Sequence, residues 1–238
     1  SVAIFVVSGP TAASERAIAA GLGATTGVLF FLNLLIMLAC YRRAGVGITV
    51  ALMGMGVVLP VVASHVCWGE PMTPARWVAV GLLPAAVVLM RPVNGLHRRI
   101  TLRGDILLVL AFVVPGVTGI LHRAVREYAP DSGRELYQAA LFVAAAITSV
   151  AYASWRRTRC SRRTVGLGTF LGAVNVAATR FVLLGLWAIP AVIFYPVSGS
   201  LVIAGSVIVS WLLWRERVTK RQVLGLFFAI CIVVLARL

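Results

Sequence analysis

Acidic residues are the scarcest chemistry in this chain. Seven Asp and Glu stand against 22 Lys and Arg in 238 residues, and charged residues of every kind make up only 12%. A soluble domain carries about 25% charged residues. All seven acids lie at the ends of apolar runs or between them, and there are only three histidines. No nucleophile, base and acid can be assembled from such a set, which argues against an enzyme. The four cysteines, Cys40, Cys67, Cys160 and Cys231, form no Cys-x-x-Cys pair. Three of them sit inside apolar runs, where cysteine is a small hydrophobe, so no metal site, cofactor or disulfide is expected. There is no Asn-x-Ser/Thr glycosylation acceptor. The net charge of +15 does not point to nucleic acid either. Almost every Arg lies in a short segment between apolar runs, and no basic helix face or folded basic domain exists to present them.

Apolar sequence fills the space that charge leaves. Apolar residues make up 61% of the chain, and the mean hydropathy is +0.98. A soluble fold of this size could not hide so much apolar surface from water, whereas a bilayer is itself an apolar solvent. The runs are about 20 residues long and uninterrupted, which fits helices rather than the short alternating strands of a barrel. Eight spans are predicted, at about 17–40, 45–68, 75–91, 103–122, 136–155, 165–186, 188–213 and 221–237. The loops are short, so neighbouring helices should be antiparallel. Residues 1–9 are apolar but too few to span, and no basic stretch precedes them as in a signal peptide. They are expected to be the end of another helix.

An internal repeat organises these spans. Gly21-Leu-Gly23-Ala-Thr-Thr-Gly27 recurs as Gly166-Leu-Gly168-Thr-Phe-Leu-Gly172, an offset of 145. Glu70-Pro-Met-Thr73 recurs as Glu216-Arg-Val-Thr219, an offset of 146, and Glu70–Arg91 aligns with Glu216–Arg237 without a gap. Two motifs at nearly one offset, with the same helix layout between them, make the chain two copies of one unit. The division expected is 1–96 for the first copy, incomplete at its N-terminus, and 97–238 for the second, with five spans. By internal comparison the first copy lacks roughly one and a half helices, so the parent pattern is five plus five. Units with an odd number of spans insert in opposite orientations, giving an inverted repeat whose interface crosses the bilayer midplane.

The ends of both copies resemble the drug/metabolite transporter superfamily, in particular its EamA-type ten-helix carriers. The stretch Ile193-Phe-Tyr-Pro196-Val-Ser-Gly199-Ser, followed by Trp214-Arg-Glu216-Arg-Val-Thr219-Lys-Arg-Gln222-Val-Leu-Gly225, looks like that family's penultimate helix, its terminal Glu and its last helix. Gly47-Ile-Thr-Val-Ala51 with Gly54-Met-Gly56, then Gly69-Glu70 and Thr73, looks like the same pattern, and is also similar to the third and fourth helices of small multidrug-resistance proteins. The membrane carboxylate of those small pumps has no counterpart here, and the first helices of the ten-helix pattern are absent. The resemblance implies an all-α inverted-repeat bundle in the cell membrane, of the bacterial inner-membrane kind. It implies transport of a small metabolite or drug-like molecule by alternating access, with the lipid bilayer and the substrate as partners, and it leaves room for a homodimer. The alternative is a non-transporting scaffold or lipid-interacting subunit with the same fold, since fold does not fix function.

The same resemblance places a substrate site on the cavity-lining helices, and the polar residues there are Asn33, Thr49, Asn175, Arg180, Tyr195, Ser198 and Ser200. Pro196 and Gly199 would loosen the helix and free carbonyls toward a cavity. Arg180 is the one charge well inside a predicted span, about 22 Å along it at 1.5 Å per residue. It either snorkels to the nearer interface or faces the cavity beside Asn175 and Tyr195 to bind an anionic group. Glu70 and Glu216 either couple protons or sit at boundaries, with Thr73 and Thr219 capping the following helices. His65 is either a proton carrier or a packing residue. Gly23-x-x-x-Gly27 and Gly168-x-x-x-Gly172 allow close helix approach. Orientation is contested. Fifteen Lys and Arg fall on one set of alternate loops and six on the other with the chain ends, which puts the C-terminus outside the cytoplasm, whereas the family layout puts it inside.

Overall fold

The computed structural model describes residues 12–44, 49, 53–89, 102–129, 133–157, 161–214 and 220–237. Among them there is no strand, and the helices are α1 (Ala12–Ala44), α2 (Val58–Trp68), α3 (Pro74–Leu89), α4 (Leu102–Tyr128), α5 (Gly133–Trp155), α6 (Arg162–Ala188), α7 (Ala191–Trp214) and α8 (Lys220–Arg237). Within the described residues, four stretches are long and apolar enough to cross a membrane: Ala13–Arg42, Ile106–Tyr128, Gly133–Trp155 and Arg162–Ala188. Shorter apolar helical stretches run over Met53–Trp68, Ala191–Val202 and Val223–Ile232. Large apolar side chains point outward on these helices, among them Phe170, Phe181, Ile147, Val150, Leu201 and Phe227. Such faces are costly in water and suit a hydrocarbon surround. Residues 1–9, Glu216 and Thr219, and the side chains of Ser206 and Ser210, lie outside the described residues.

Polar chemistry marks the helix ends. Ser161 precedes α6 and its Oγ accepts the Thr164 N–H at 3.2 Å. Thr73 does the same for α3, accepting the Arg76 N–H at 3.3 Å, with Pro74 at the first helical position, where its missing N–H costs nothing. The Thr73 cap agrees with the sequence expectation. At the other end of α2, Gly69 adopts φ 64° and ψ 21°, a left-handed conformation open to glycine. Its N–H bonds the His65 carbonyl at 3.1 Å, and the Glu70 N–H bonds the Ser64 carbonyl at 3.3 Å, which closes the helix in a two-bond turn.

The helix α4 runs to Tyr128, six residues past the predicted end of its span at His122. Its last turns are held by polar contacts that hydropathy cannot see. Arg123 pairs with Glu127 one turn on, at 3.1 Å, and Arg126 donates to the Leu186 carbonyl near the end of α6.

The chain forms two compact units, residues 1–32 with 121–188 and residues 33–120 with 189–238. Each draws on both halves of the sequence, and α1 and α4 each give one end to each unit. The core of the first unit is Ala19, Val125, Ala129, Tyr137, Leu141 and Leu183, with Leu22, Phe142 and Trp187 packed against it. In the second unit α3 packs on α8, and α7 packs on α2, α3 and α8. Ala79, Leu83 and Ile232 form its buried centre, flanked by Val57, Leu82, Phe228 and Leu235.

In the first unit α1 and α5 touch backbone to backbone. A Cβ on Gly23 would lie 2.5 Å from the Tyr137 carbonyl oxygen and 2.9 Å from the Ala140 Cβ. One on Gly27 would meet the Leu141 carbonyl and lie 2.8 Å from the Ala144 Cβ. Positions advance together along the two helices, so they run parallel. The helices α5 and α6 run antiparallel, with the Gln138 amide donating to the Val176 carbonyl at 2.8 Å and Glu135 beside Arg180.

Candidate functional site

The sequence-predicted site residues divide between the units. Asn33, Thr49, Tyr195, Ser198 and Ser200 belong to the second unit, and Asn175 and Arg180 to the first.

Tyr195, Ser198 and Ser200 share α7, whereas Asn33 lies on α1 and Thr49 precedes α2, and no contact joins these two to the α7 group among the described residues. The helix α7 begins after Pro190, whose carbonyl accepts the Ile193 and Phe194 N–H groups at 3.0 and 2.9 Å. Proline has no side-chain oxygen with which to cap a helix, so the exposed N–H groups at this end need an acceptor from elsewhere. Glu70 supplies it. Its Oε2 accepts the Val192 N–H at 3.0 Å, and the residue is 8% exposed. A carboxylate there also faces the positive end of the helix dipole. The left-handed turn at Gly69 is what aims Glu70 away from its own helix. His65 braces the same turn. Its Nδ1 lies 2.8 Å from the Glu70 carbonyl, to which it donates, and its ring meets Trp77 edge to face at 5.9 Å. Glu70 therefore caps a helix 122 positions away, rather than acting only at the head of α3 beside Thr73.

One turn into α7, the Tyr195 hydroxyl donates to the Gly119 carbonyl of α4 at 2.6 Å. Gly119 makes that approach feasible, since a Cβ there would lie 2.9 Å from the Pro60 ring and 3.5 Å from the Tyr195 oxygen. Pro196 follows inside the helix. It has no N–H to give the Val192 carbonyl, which leaves that oxygen without its helical bond. The Ser198 hydroxyl donates to the Tyr195 carbonyl at 3.2 Å. Thr49, Ser64 and Ser200 are fully or almost fully buried. Among the described residues, the Ser200 and Ser64 hydroxyls and the Asn33 carbonyl oxygen are buried without a hydrogen-bond partner. Hydroxyls, an amide and a phenol inside an apolar bundle can bind a polar neutral molecule or water.

The two first-unit residues sit differently. Asn175 is exposed on α6, and its amide donates to the Leu171 carbonyl at 2.9 Å. Arg180 is 59% exposed, with Nη2 3.9 Å from Glu135 Oε1, itself 77% exposed. The sequence places no acid within a span to neutralise Arg180, only acids at span ends. The antiparallel fit of α5 and α6 brings one from the first turn of α5, at the end of a span rather than its middle. That geometry matches an arginine reaching toward a helix end. The sequence reading also missed the hydroxyl pair of the first unit, where Tyr137 donates to Thr26 Oγ1 at 2.9 Å and Thr26 donates to the Leu22 carbonyl at 2.7 Å. A signal was available: a Thr one position before Gly27, on the face that meets α5.

No protein-family model matches this chain, and no curated protein matches it.

Proposed function

We propose that the chain is a multi-pass protein of a cell membrane that carries a small metabolite by alternating access, on an inverted-repeat bundle of the drug/metabolite transporter type. Eight spans related as two copies are the architecture this reading requires. The observation that carries it is the polar interior of the second unit. Asn33, Ser64 and Ser200 each bury an oxygen with no hydrogen-bond partner among the described residues, inside a largely apolar bundle. Such groups are expensive in a membrane protein, and they mark the paths of polar solutes. Pro196 adds a carbonyl freed from its helix. No charged group is needed to recognise a neutral or zwitterionic polar solute by hydroxyls and amides.

The scaffold reading draws on a different observation. Gly56 and Gly116 in the same unit hold α2 and α4 so close that a Cβ on Gly56 would lie 2.7 Å from the Phe112 carbonyl. A unit packed that tightly could serve as a rigid support.

Reconstitution into liposomes separates the two. Uptake or counterflow of a panel of labelled small polar metabolites, with Ser200→Ala and Tyr195→Phe as variants, should reveal a solute whose flux saturates and falls in the variants. A saturable flux identical in protein-free vesicles, or no flux across the panel with correctly inserted protein, favours the scaffold.

A further inference from the structure

The end of α5 and the start of α6 carry charge of one sign. Tyr152, Trp155 and Arg156 stand three and four residues apart, so they share one face of α5. The Arg156 guanidinium lies 5.8 Å from the centre of the Tyr152 ring and 5.6 Å from that of Trp155, and its Nε donates to the Tyr152 hydroxyl at 3.4 Å. Tyr152 is held in turn by Phe31 of α1, edge to face at 5.6 Å. A guanidinium seated on two rings has given up part of its freedom before it meets a ligand. Arg156 is exposed nonetheless, as are Arg157 beyond it and Arg162 and Arg163 at the start of α6. The register of Glu135 with Arg180 and of Gln138 with Val176, carried to the other end of the helices, sets Arg162 level with Tyr152 and Ala153.

Among the described residues none of these four arginines pairs with an acid. The described acids of this unit, Glu15, Glu127 and Glu135, lie at the opposite end of its helices. Glu15 and Glu135 are in the first turns of α1 and α5, which run parallel. Glu127 is in the last turn of α4, where Val125 lies against Gly133. Glu135 stands about 30 Å from Arg156 along α5, at 1.5 Å per residue. Salt screens charges over roughly 8 Å, so the acids cannot offset the arginines.

The surroundings say what kind of anion fits. Gly133–Trp155 and Arg162–Ala188 are both long and apolar enough to cross a membrane, so the cluster stands where two such stretches meet water. Trp and Tyr favour that headgroup level, and Trp155 is 78% exposed. Beyond the cluster Ile147 and Val150 of α5 and Leu167 and Phe170 of α6 expose apolar surface. Cations at the headgroup level with apolar surface beneath them match a lipid with a net negative headgroup. A choline lipid matches less well, because it brings its own cation beside its phosphate. We infer that this end of α5 and α6 binds an anionic phospholipid, with its phosphate on Arg156 and its acyl chains along the exposed apolar side chains. The inference rests on the membrane reading of the chain and not on transport.

Brominated lipid tests it, since bromine on an acyl chain quenches indole fluorescence near contact. The full chain is reconstituted in vesicles of equimolar phosphatidylglycerol and phosphatidylcholine, with one lipid brominated at a time. The Trp155 signal is the difference between each protein and its Trp155→Phe counterpart. Phosphatidylglycerol should quench it several-fold more strongly than phosphatidylcholine. Arg156→Gln with Arg157→Gln should bring the two lipids to parity. Arg156→Lys keeps the charge without the planar stack and should retain part of the preference. Arg16→Gln with Arg134→Gln removes the same charge from the opposite end and should leave the preference intact. Parity in the parent would overturn the inference, as would a preference that survives loss of Arg156 and Arg157 or falls equally with Arg16 and Arg134. Extraction with alkaline carbonate separates the premises. Protein stripped from the vesicles would overturn the membrane reading and the lipid site together, whereas parity in protein that resists extraction overturns the lipid site alone.

Discussion

The two compact units differ in how they leave some of their buried hydroxyls and amides. In the first, Tyr137 and Thr26 satisfy each other and Thr26 closes on its own helix, so the hydroxyls behave as fasteners between α1 and α5. In the second, Asn33, Ser64 and Ser200 bury oxygens that have no hydrogen-bond partner among the described residues. Both units are apolar bundles of similar helices, so the difference is not one of composition. The first unit places its polar atoms at a glycine seam where the partner backbone is near. In the second, Ser64 and Ser200 lie one turn beyond Pro60 and Pro196 on their own helices. Paired groups stabilise, and unpaired ones cost stability that only an interaction with water or a solute can return.

If the first unit is the fastened one, crowding its seam should be the most damaging change available. Gly27→Leu forces a side chain into the Leu141 backbone and the Ala144 methyl. Backbone cannot yield as a flexible side chain can, so a loss of about 3 kcal/mol, the upper end of overpacking costs, is expected. Thermal unfolding in detergent should show a large drop in midpoint or no folded protein. A midpoint within a degree or two of the parent would contradict the seam.

The hydroxyl pair gives the next effect. Thr26→Val keeps the shape but leaves the Tyr137 hydroxyl buried without its acceptor, which costs about 1–3 kcal/mol. Tyr137→Phe in that background removes the stranded donor and should recover most of the loss. A double-mutant cycle in unfolding midpoints checks this, and additive losses would mean the two hydroxyls do not act as a pair.

Much of this fold was legible in the apolar runs, and its pairings were not. Long uninterrupted runs located α1, α4, α5 and α6 because the length of a span is dictated by the bilayer. The end of α4 was misjudged because Arg123 and Arg126 read as loop charges, whereas their partners Glu127 and Leu186 hold another turn and a half of helix. The polar site residues were legible as oddities within apolar sequence. Their division between two units was not, since hydropathy carries no information on which helices meet. The same limit hid the role of Glu70. A boundary acid looks alike whether it caps the next helix or one far along the chain, and Val192 becomes its partner only through the packing of α2 on α7.

That contact sharpens the comparison from the second unit's side, because Glu70 is a polar group there that is satisfied. Glu70→Ala strips the acceptor from the start of α7 and should cost about 1 kcal/mol, the usual worth of a helix cap. Glu70→Gln keeps an oxygen in place and should lose less. If transport is found, Glu70→Gln should leave its pH dependence unchanged. A flux that became independent of pH in Glu70→Gln would assign Glu70 to proton coupling instead.

The smallest effect on stability should come from Ser200→Ala, and its sign is what matters. Ser200 is 1% exposed and its hydroxyl has no partner among the described residues. Removing an unsatisfied buried hydroxyl deletes no hydrogen bond and relieves its desolvation, so the unfolding midpoint should stay level or rise slightly. Thr26→Val, of comparable chemistry in the first unit, should fall. The two changes remove one hydroxyl each from apolar surroundings, so opposite signs would isolate partnership as the cause. Under the carrier reading the cost of Ser200→Ala appears elsewhere, as weaker solute binding with a raised KM and a folded, stable protein. A clear fall in midpoint would show that Ser200 does have a structural partner, such as a fixed internal water. The second unit would then be fastened like the first, and the observation that carries the proposed function would lose its force.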